Sequence, residues 1–78
     1  MEKKFTNYYD KDCNRVFVKD VVQHVNRNEV YVVEEEKFCF LRGVNTEDAD
    51  IDYVIFMERK GNLLENPKLK NKFKIKIK

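Results

Sequence analysis

The sequence predicts a small all-β domain. Short runs rich in Val, Ile, Phe and Tyr recur along the chain, and turns rich in Asn, Asp and Lys separate them. No long segment keeps the helical period of about 3.6 residues. The 78 residues leave room for a single domain, spanning residues 1–78. The economical arrangement is a strongly bent, partly open barrel of about five or six strands, because closure removes exposed strand edges.

The first predicted strands flank a bend. Residues 15–18 form a β-branched and aromatic run, and the alternation changes parity at Lys19 and Asp20, which predicts a bulge or bend. The β pattern then resumes. Residues 26–28 are a compact loop, because Asn tolerates the left-handed backbone that such loops need. Residues 21–33 are therefore predicted to form a β-hairpin.

Two further strands are predicted between polar turns. Residues 38–41 read as a strand that ends near Gly43, and residues 53–58 read as another. The acidic stretch 45–52 between them is predicted to be a loop or a single helical turn. Residues 60–62 are then expected to turn the chain.

The core is expected on alternate strand positions. Replacing Phe40 or Phe56 with alanine is expected to cost about 3–5 kcal/mol. Residues 65–67 are predicted to be a structural turn rather than a binding site, because Pro67 biases the preceding residue away from the helical region. The predicted core residues are Val16, Val18, Val22, Val32, Phe38, Phe40, Val54, Phe56 and Leu63.

Charge is distributed unevenly along the chain. Residues 1–57 carry a net charge of −4 and residues 58–78 carry +6. Residues 71–78 are predicted to be a basic terminal strand, in which apolar side chains and lysines alternate. Six lysines on one side of an extended chain would be spaced about 6.6 Å apart. They are Lys68, Lys70, Lys72, Lys74, Lys76 and Lys78.

Three interpretations of these lysines stay open. They are protection of a sheet edge, contact with nucleic-acid phosphates, and contact with an acidic protein. For nucleic acid, the tyrosines could supply stacking surfaces, and Tyr8 and Tyr9 are the candidate contacts. The other two tyrosines are Tyr31 and Tyr53. A second candidate contact patch is acidic and consists of Glu34, Glu35, Glu36, Glu47, Asp48 and Asp50.

Catalytic, metal-binding and cofactor-binding residues are not expected. The chain has no Ser and a single His, His24, and Cys39 lies between two Phe, so a nucleophile with its base is missing. Three Cys and His residues are too few for a structural zinc site. The acidic stretch 45–52 lacks the glycine and the terminal Glu of a calcium loop. These features favour a binding protein over an enzyme.

The cysteine content and hydropathy indicate a cytosolic setting. Cys13 and Cys39 are too few for the disulfide framework of a small secreted domain. The apolar runs are far shorter than the roughly 20 residues of a membrane span or the apolar core of a signal peptide. We therefore expect no membrane partner.

Two stretches carry a resemblance to a known family. Residues 10–22 (DKDCNRVFVKDVV) are similar to the D-K-x-G-x-x-I-x-x-G-D-I-V stretch of YopX-type phage proteins. Residues 61–69 (GNLLENPKL) resemble the G-N-I-x-E-N-P-E-L-L signature that closes that family's C-terminal β subdomain. The resemblance covers about residues 9–70. Cys13 and Lys19 stand where the family has turn glycines, and non-glycine residues resist positive φ.

The resemblance implies a phage or prophage origin, an SH3-like barrel and no catalytic residues. The leading hypothesis is a non-enzymatic accessory protein that binds and modulates a protein in the cytoplasm of the bacterial host. In its most specific form, the hypothesis is that the protein inhibits a host defence system, as anti-CRISPR proteins do. The alternative is a nucleic-acid-binding module that uses the basic C-terminal strand. Self-association along a strand edge is a third hypothesis.

Overall fold

Two antiparallel sheets and two short helices make up the computed structural model, which describes residues 3–75. The all-β fold class is therefore confirmed, although the sheets do not close into a continuous barrel. The five-stranded sheet has the order β6-β5-β4-β3-β7, and β1 pairs with β2 in the other sheet. The elements are β1 (Phe5–Tyr9), β2 (Arg15–Phe17), β3 (Asp20–His24), β4 (Glu29–Glu35), β5 (Cys39–Gly43), β6 (Ala49–Asp50), a 3-10 helix (Ile51–Phe56), β7 (Glu58–Asn62) and α1 (Leu69–Lys72).

Apolar side chains cover both faces of the five-stranded sheet. Because alternate strand residues point to opposite sides, Val22 and Val33 face one cluster while Val21 and Val32 face the other. The β1–β2 hairpin and the 3-10 helix cover the first face. The segment that follows β7 covers the second, where Leu63, Leu69 and Ile75 pack on the sheet. The sheet is thus the middle layer of the molecule.

The hairpin and the bend predicted from the sequence are both confirmed. Strands β3 and β4 pair in antiparallel register from Val21 opposite Val32 to His24 opposite Glu29. Between β2 and β3 the chain bends at Lys19, whose φ is +74°. The turn residue Cys13 also has a positive φ, of +64°. Both residues adopt a conformation that side chains normally disfavour.

Strand β1 is an element that the sequence did not predict. Thr6 and Asn7 are polar, and Asn7 has a φ of +69°, so a bulge interrupts the alternation that would mark a strand. The Thr6 hydroxyl donates a hydrogen bond to the carbonyl of Val16 at 2.7 Å. This bond ties β1 to β2 in place of an apolar contact.

The strand predicted over residues 53–58 is wrong. Residues 51–56 form a 3-10 helix, and the predicted turn at 60–62 belongs to β7. Ile51, Val54 and Met57 are buried at intervals of three residues, which is the repeat of a 3-10 helix. The β-branched and aromatic side chains suggested a strand, but their spacing fits this helix.

The basic terminal strand predicted over residues 71–78 is also wrong where the structure describes it. Residues 69–72 are helical, and Lys74 has a φ of +55°. Residues 76–78 lie outside the described part of the chain. Leu69 packs against Gly61, where an added Cβ would lie 2.8 Å from the Leu69 Cδ1 atom.

The predicted turn at 65–67 is confirmed, with the Asn66 N–H donating to the Asn62 carbonyl at 2.8 Å.

Four of the nine predicted core residues were assigned wrongly. Phe38 is 81% exposed at the turn before β5, and Phe56 points outward from the 3-10 helix. Val18 and Phe40 are only half-buried. The register of β5 explains the error in that strand, because Leu41 and Cys39 face the first cluster while Phe40 points to the opposite side. The correct members are Val16, Val22, Val32, Val54 and Leu63.

Asp10 organises the turn between β1 and β2. Its carboxylate accepts hydrogen bonds from the backbone N–H groups of Asp12, Asn14 and Arg59 at 2.9–3.0 Å. Burial raises the pKa of Asp10, but the hydrogen bonds from Asn14, Arg59 and Asp12 outweigh it and hold the pKa below its ordinary value of 3.8. The ionised form therefore stabilises the folded state.

Loss of this stabilisation at acid pH is a testable consequence. A group whose pKa is lowered by folding contributes stability above its unfolded pKa, and that contribution disappears as pH falls through the folded value. We expect the urea midpoint of the wild type to fall more steeply below about pH 4 than that of Asp10→Asn. Asp12→Asn, at an exposed position, is the matched control. Equal slopes for wild type and Asp10→Asn would contradict this role.

Candidate functional site

The 3-10 helix has apolar side chains on its inner side and also exposes apolar side chains to solvent. Its inner face contributes Ile51 and Val54 to the core. Three large apolar side chains, Tyr53, Ile55 and Phe56, are 53%, 58% and 59% exposed. We call these three residues the apolar patch. With three residues per turn, Tyr53 and Phe56 share one side of the helix, and Ile55 shares another with the exposed Asp52.

A cleft lies beside the apolar patch. It has a volume of about 490 Å³, and Tyr53 and Phe56 form part of its wall. The Tyr31 hydroxyl donates a hydrogen bond to the Glu29 carboxylate at 3.2 Å. Burial is the main reason that the pKa of Tyr31 is raised, and the charge of Glu29 adds to it. The other lining residues are His24, Arg27, Ala49 and Met57.

Acidic side chains lie on the segment that leads into the apolar patch. Residues 47–52 contain four carboxylates and no basic residue. Asp48 is used internally, since it accepts a hydrogen bond from the backbone N–H of Gly43 at 2.9 Å. Asp52 raises the pKa of the Tyr8 hydroxyl through a hydrogen bond and through its charge. Glu47 and Asp50 are exposed and give this edge of the patch a negative potential.

The predicted acidic patch is divided by its own ion pairs. Glu34 contacts Lys19 and Arg42, with 2.9 Å to the Arg42 Nε atom, and Glu35 pairs with Lys4 at 2.7 Å. Asp50 lies two strands from Glu34, with Phe40 between them in the register. Glu36 is exposed at the end of β4. The acids without a structural role in this set are therefore Glu36, Glu47 and Asp50.

The predicted row of lysines does not form over the described residues. Lys70 and Lys72 lie on α1, and Lys68 immediately precedes it. Successive helical residues are rotated by about 100°, so Lys70 projects away from Lys68 and Lys72, which lie one turn apart on the same side, and the three do not form a row along one edge. Lys74 is exposed beyond the helix, whereas Lys76 and Lys78 lie outside the described residues. The argument from even phosphate spacing therefore fails for residues 68–74.

The two tyrosines predicted as nucleic-acid contacts have different surroundings. Tyr8 is 36% exposed, and Asp52 on the 3-10 helix raises the pKa of its hydroxyl. Tyr9 is 48% exposed on the outer side of the β1–β2 hairpin. Its ring packs edge-on against Phe5, with 5.6 Å between centroids, and Phe5 packs against Phe17 at the same distance. Tyr9 is therefore the one that presents a ring as part of an aromatic cluster.

The groups that could support catalysis are not brought together. His24 lies on β3 and lines the cleft, with its Nδ1 atom buried and without a partner among the described residues. Cys39 is half-buried against the first cluster, and burial and Glu35 raise the pKa of its thiol. A raised pKa disfavours the nucleophilic thiolate. Both cysteines are free.

Comparison with known proteins gives no assignment. No family model matches the chain, and no curated protein matches it significantly. Within residues 3–75, His, Cys, Asp and Glu side chains nowhere cluster in a group of three that could hold a metal ion. Neither helix in the described part of the chain is long and apolar enough to cross a membrane.

The apolar patch was missed at the sequence level because its residues were assigned to a strand. Phe56 and Val54 were both placed in the core by period-two alternation. The signal that distinguishes them is the spacing of Ile51, Val54 and Met57, which leaves Tyr53 and Phe56 together on the opposite side of a three-residue helix.

Proposed function

We propose that this protein is a small non-enzymatic accessory protein of a phage or prophage that binds a host protein through the apolar patch. The observation that carries the binding mode is the exposure of three large apolar side chains, Tyr53, Ile55 and Phe56, on the short 3-10 helix whose other apolar residues pack inside. The resemblance of residues 10–22 and 61–69 to YopX-type phage proteins supports the phage setting and the host cytoplasm as its site of action. Inhibition of a host defence machine is the sharpest form of this function.

The side chains of the apolar patch suit a protein contact. Exposed large apolar side chains that adjoin one another mark interaction sites more often than isolated ones do. Tyrosine is enriched among the residues that dominate binding energy, since its ring buries a large area while its hydroxyl finds a partner. The adjoining cleft offers a recess for one side chain of the partner.

The negative charges next to the apolar patch indicate which kind of protein partner would fit. Glu47 and Asp50 are exposed at the edge of the patch, so a partner with an apolar centre and a basic rim would match it. Rim charges of this kind accelerate association and are screened by salt. We therefore expect binding to slow at high ionic strength while the apolar contact persists.

The alternative function, nucleic-acid binding by a basic C-terminal strand, has lost its geometric support over residues 68–74. An apolar patch with acidic neighbours repels phosphate. The protein partner is therefore the better supported proposal for this surface.

Site-specific crosslinking tests the proposal. A photoreactive phenylalanine analogue placed at Phe56 should crosslink a host protein in nuclease-treated lysate, and the same analogue at Phe38 should not. Phe38 is the matched control because it is 81% exposed but isolated at the turn before β5. Ile55→Asp should weaken binding of the purified partner by roughly 30-fold or more, as expected when a charge replaces an apolar side chain that contributes strongly to an interface.

The proposal has clear contrary outcomes. Ile55→Asp should leave the melting temperature close to that of wild type, because Ile55 is exposed. Equal crosslinking from positions 38 and 56, or equal partner affinity in wild type and Ile55→Asp, would overturn it. A dimer in solution that Ile55→Asp dissociates would show instead that a second copy of the chain covers the patch.

A further inference from the structure

We propose that the outer side of the β1–β2 hairpin is a second binding surface, and that it binds single-stranded nucleic acid. The surface consists of the rings of Phe5, Tyr9 and Phe17 together with the cations Lys3 and Arg15, and we call it the hairpin face. It does not depend on the apolar patch or on the proposed protein partner. It replaces the basic strand as the place where phosphates and bases would be held.

The register of the hairpin brings these side chains together. Phe5 pairs with Phe17, and Tyr9 pairs with Arg15 across the two strands. Directly opposed residues project to the same side of a sheet. Phe5 and Tyr9 are four residues apart, so strand alternation places them on a common side. The pairing is irregular between Phe5 and Tyr8, and the two ring centroids lie 5.6 Å apart. This aromatic row lies on the outer side of the two-stranded sheet and does not belong to either hydrophobic core cluster.

Cations adjoin the rings. The Lys3 ammonium lies 4.6 Å from the Phe17 ring centroid, and the Arg15 guanidinium lies 5.6 Å from that of Phe5. Surfaces that bind single strands without sequence preference combine these two elements, rings on which bases stack and cations that track the backbone. Tyr9 has the most exposed of the three rings and is the one available for a base.

The charge balance permits phosphate binding. Lys3 pairs with Glu65 at 3.1 Å, with side chains that are 25% and 56% exposed. Water therefore reaches this ion pair, and phosphate can compete with Glu65 for Lys3. Lys3 and Arg15 are therefore the two cations that the hairpin face offers to a phosphate backbone.

A single strand suits this surface better than a duplex. Stacking on Tyr9 needs an unpaired base, since the bases of a duplex already stack on one another. Arg15 is the only exposed arginine among the cations of the hairpin face. Specific recognition of base edges in the major groove of a duplex relies mainly on arginine and on amide side chains, so this surface is not expected to read base sequence. The expected binding is sensitive to salt and tolerant of sequence.

Fluorescence anisotropy with a labelled oligothymidine of about twelve nucleotides tests the inference. At 50 mM salt we expect saturable binding that is tighter than to a duplex of equal length. Two phosphate contacts, by Lys3 and Arg15, should make log K fall with log salt at a slope of about −1.4. Tyr9→Ala should weaken binding roughly tenfold, within the range for loss of one stacked base, while Tyr9→Phe should retain it. Arg15→Gln should make the slope shallower by about 0.7.

Matched variants elsewhere decide whether the hairpin face is responsible. Tyr53→Ala and Arg27→Gln remove an equally exposed tyrosine and an arginine from the cleft, and they should not change affinity. No saturable binding at 50 mM salt, tighter binding to the duplex, or equal losses in the cleft variants would each overturn the inference. So would a loss in Tyr9→Phe as large as that in Tyr9→Ala, because the stacking ring would then be irrelevant.

Discussion

Replacing Asp20 with alanine is expected to unfold most of the protein at room temperature. Asp20 is completely buried at the start of β3, and its carboxylate accepts three hydrogen bonds. They come from the backbone N–H of Phe17 at 2.7 Å, the Nδ2 of Asn62 at 2.7 Å and the Nε of Arg59 at 2.8 Å. One side chain therefore joins the bend before β3 to both ends of β7.

The expected size of this effect follows from the partners left behind. Without Asp20, the Phe17 N–H and the buried Asn62 Nδ2 lose their acceptor, and each unsatisfied group costs about 1–3 kcal/mol. Arg59, which is 25% exposed, also loses an ion pair. A domain of this size has a total stability of only about 3–5 kcal/mol. Asn62 is also buried, and its Nδ2 donates to the Val18 carbonyl at 3.1 Å as well. The alanine variant therefore disrupts a connected polar network.

Urea denaturation followed by circular dichroism measures the loss. Asp12→Ala is the matched control, since Asp12 is exposed and pairs only with its neighbour Lys11; its stability should stay within about 0.5 kcal/mol of wild type. A stability loss below about 1 kcal/mol in Asp20→Ala would show that the buried network contributes little.

Leu41→Ala is expected to destabilise the protein by about 2–5 kcal/mol. Leu41 is completely buried on β5, the strand between β4 and β6, and it belongs to the cluster beneath the 3-10 helix. Truncation leaves a cavity that the neighbouring strands cannot fill, because they are fixed by their own hydrogen bonds. Phe56→Ala removes more carbon atoms but should change stability by no more than about 0.5 kcal/mol, since Phe56 is 59% exposed on the outside of the 3-10 helix.

Thermal denaturation of the two variants tests this comparison. The result expected from sequence alternation is the opposite one, with Phe56 in the core. A larger loss of melting temperature in Phe56→Ala than in Leu41→Ala would show that the ring packs against the protein in solution.

The β3–β4 hairpin shows what local patterns can predict. Its strands alternate and its loop is rich in Asn, and Asn28 adopts a left-handed conformation in that loop. Each of these features depends on residues near in sequence. The bend at Lys19 is also predictable from nearby residues, because the alternation of apolar and polar residues changes parity there. The sequence also separated the all-β class from the helical alternatives.

The 3-10 helix and the hairpin face show what local patterns could not predict. Tyr53, Ile55 and Phe56 have the composition of a buried strand, and only the packing of Ile51, Val54 and Met57 under the sheet selects the helix. β1 was missed because Thr6 and Asn7 are polar and a bulge shifts its register. The contact of Phe5 with Phe17 depends on pairing across that bulge.

The sequence by itself determined the all-β class, the central hairpin, the bend at Lys19 and the turn at 65–67, because turn chemistry and strand alternation act over a few residues. The tertiary structure decided the path after β7. Gly61 has no side chain, and Leu69 occupies the space that a Cβ would need. That contact lies eight residues away along the chain, and it turns an alternating Lys-rich segment into a helix, because burying Leu69 and Ile75 against the sheet outweighs the local preference for an extended strand.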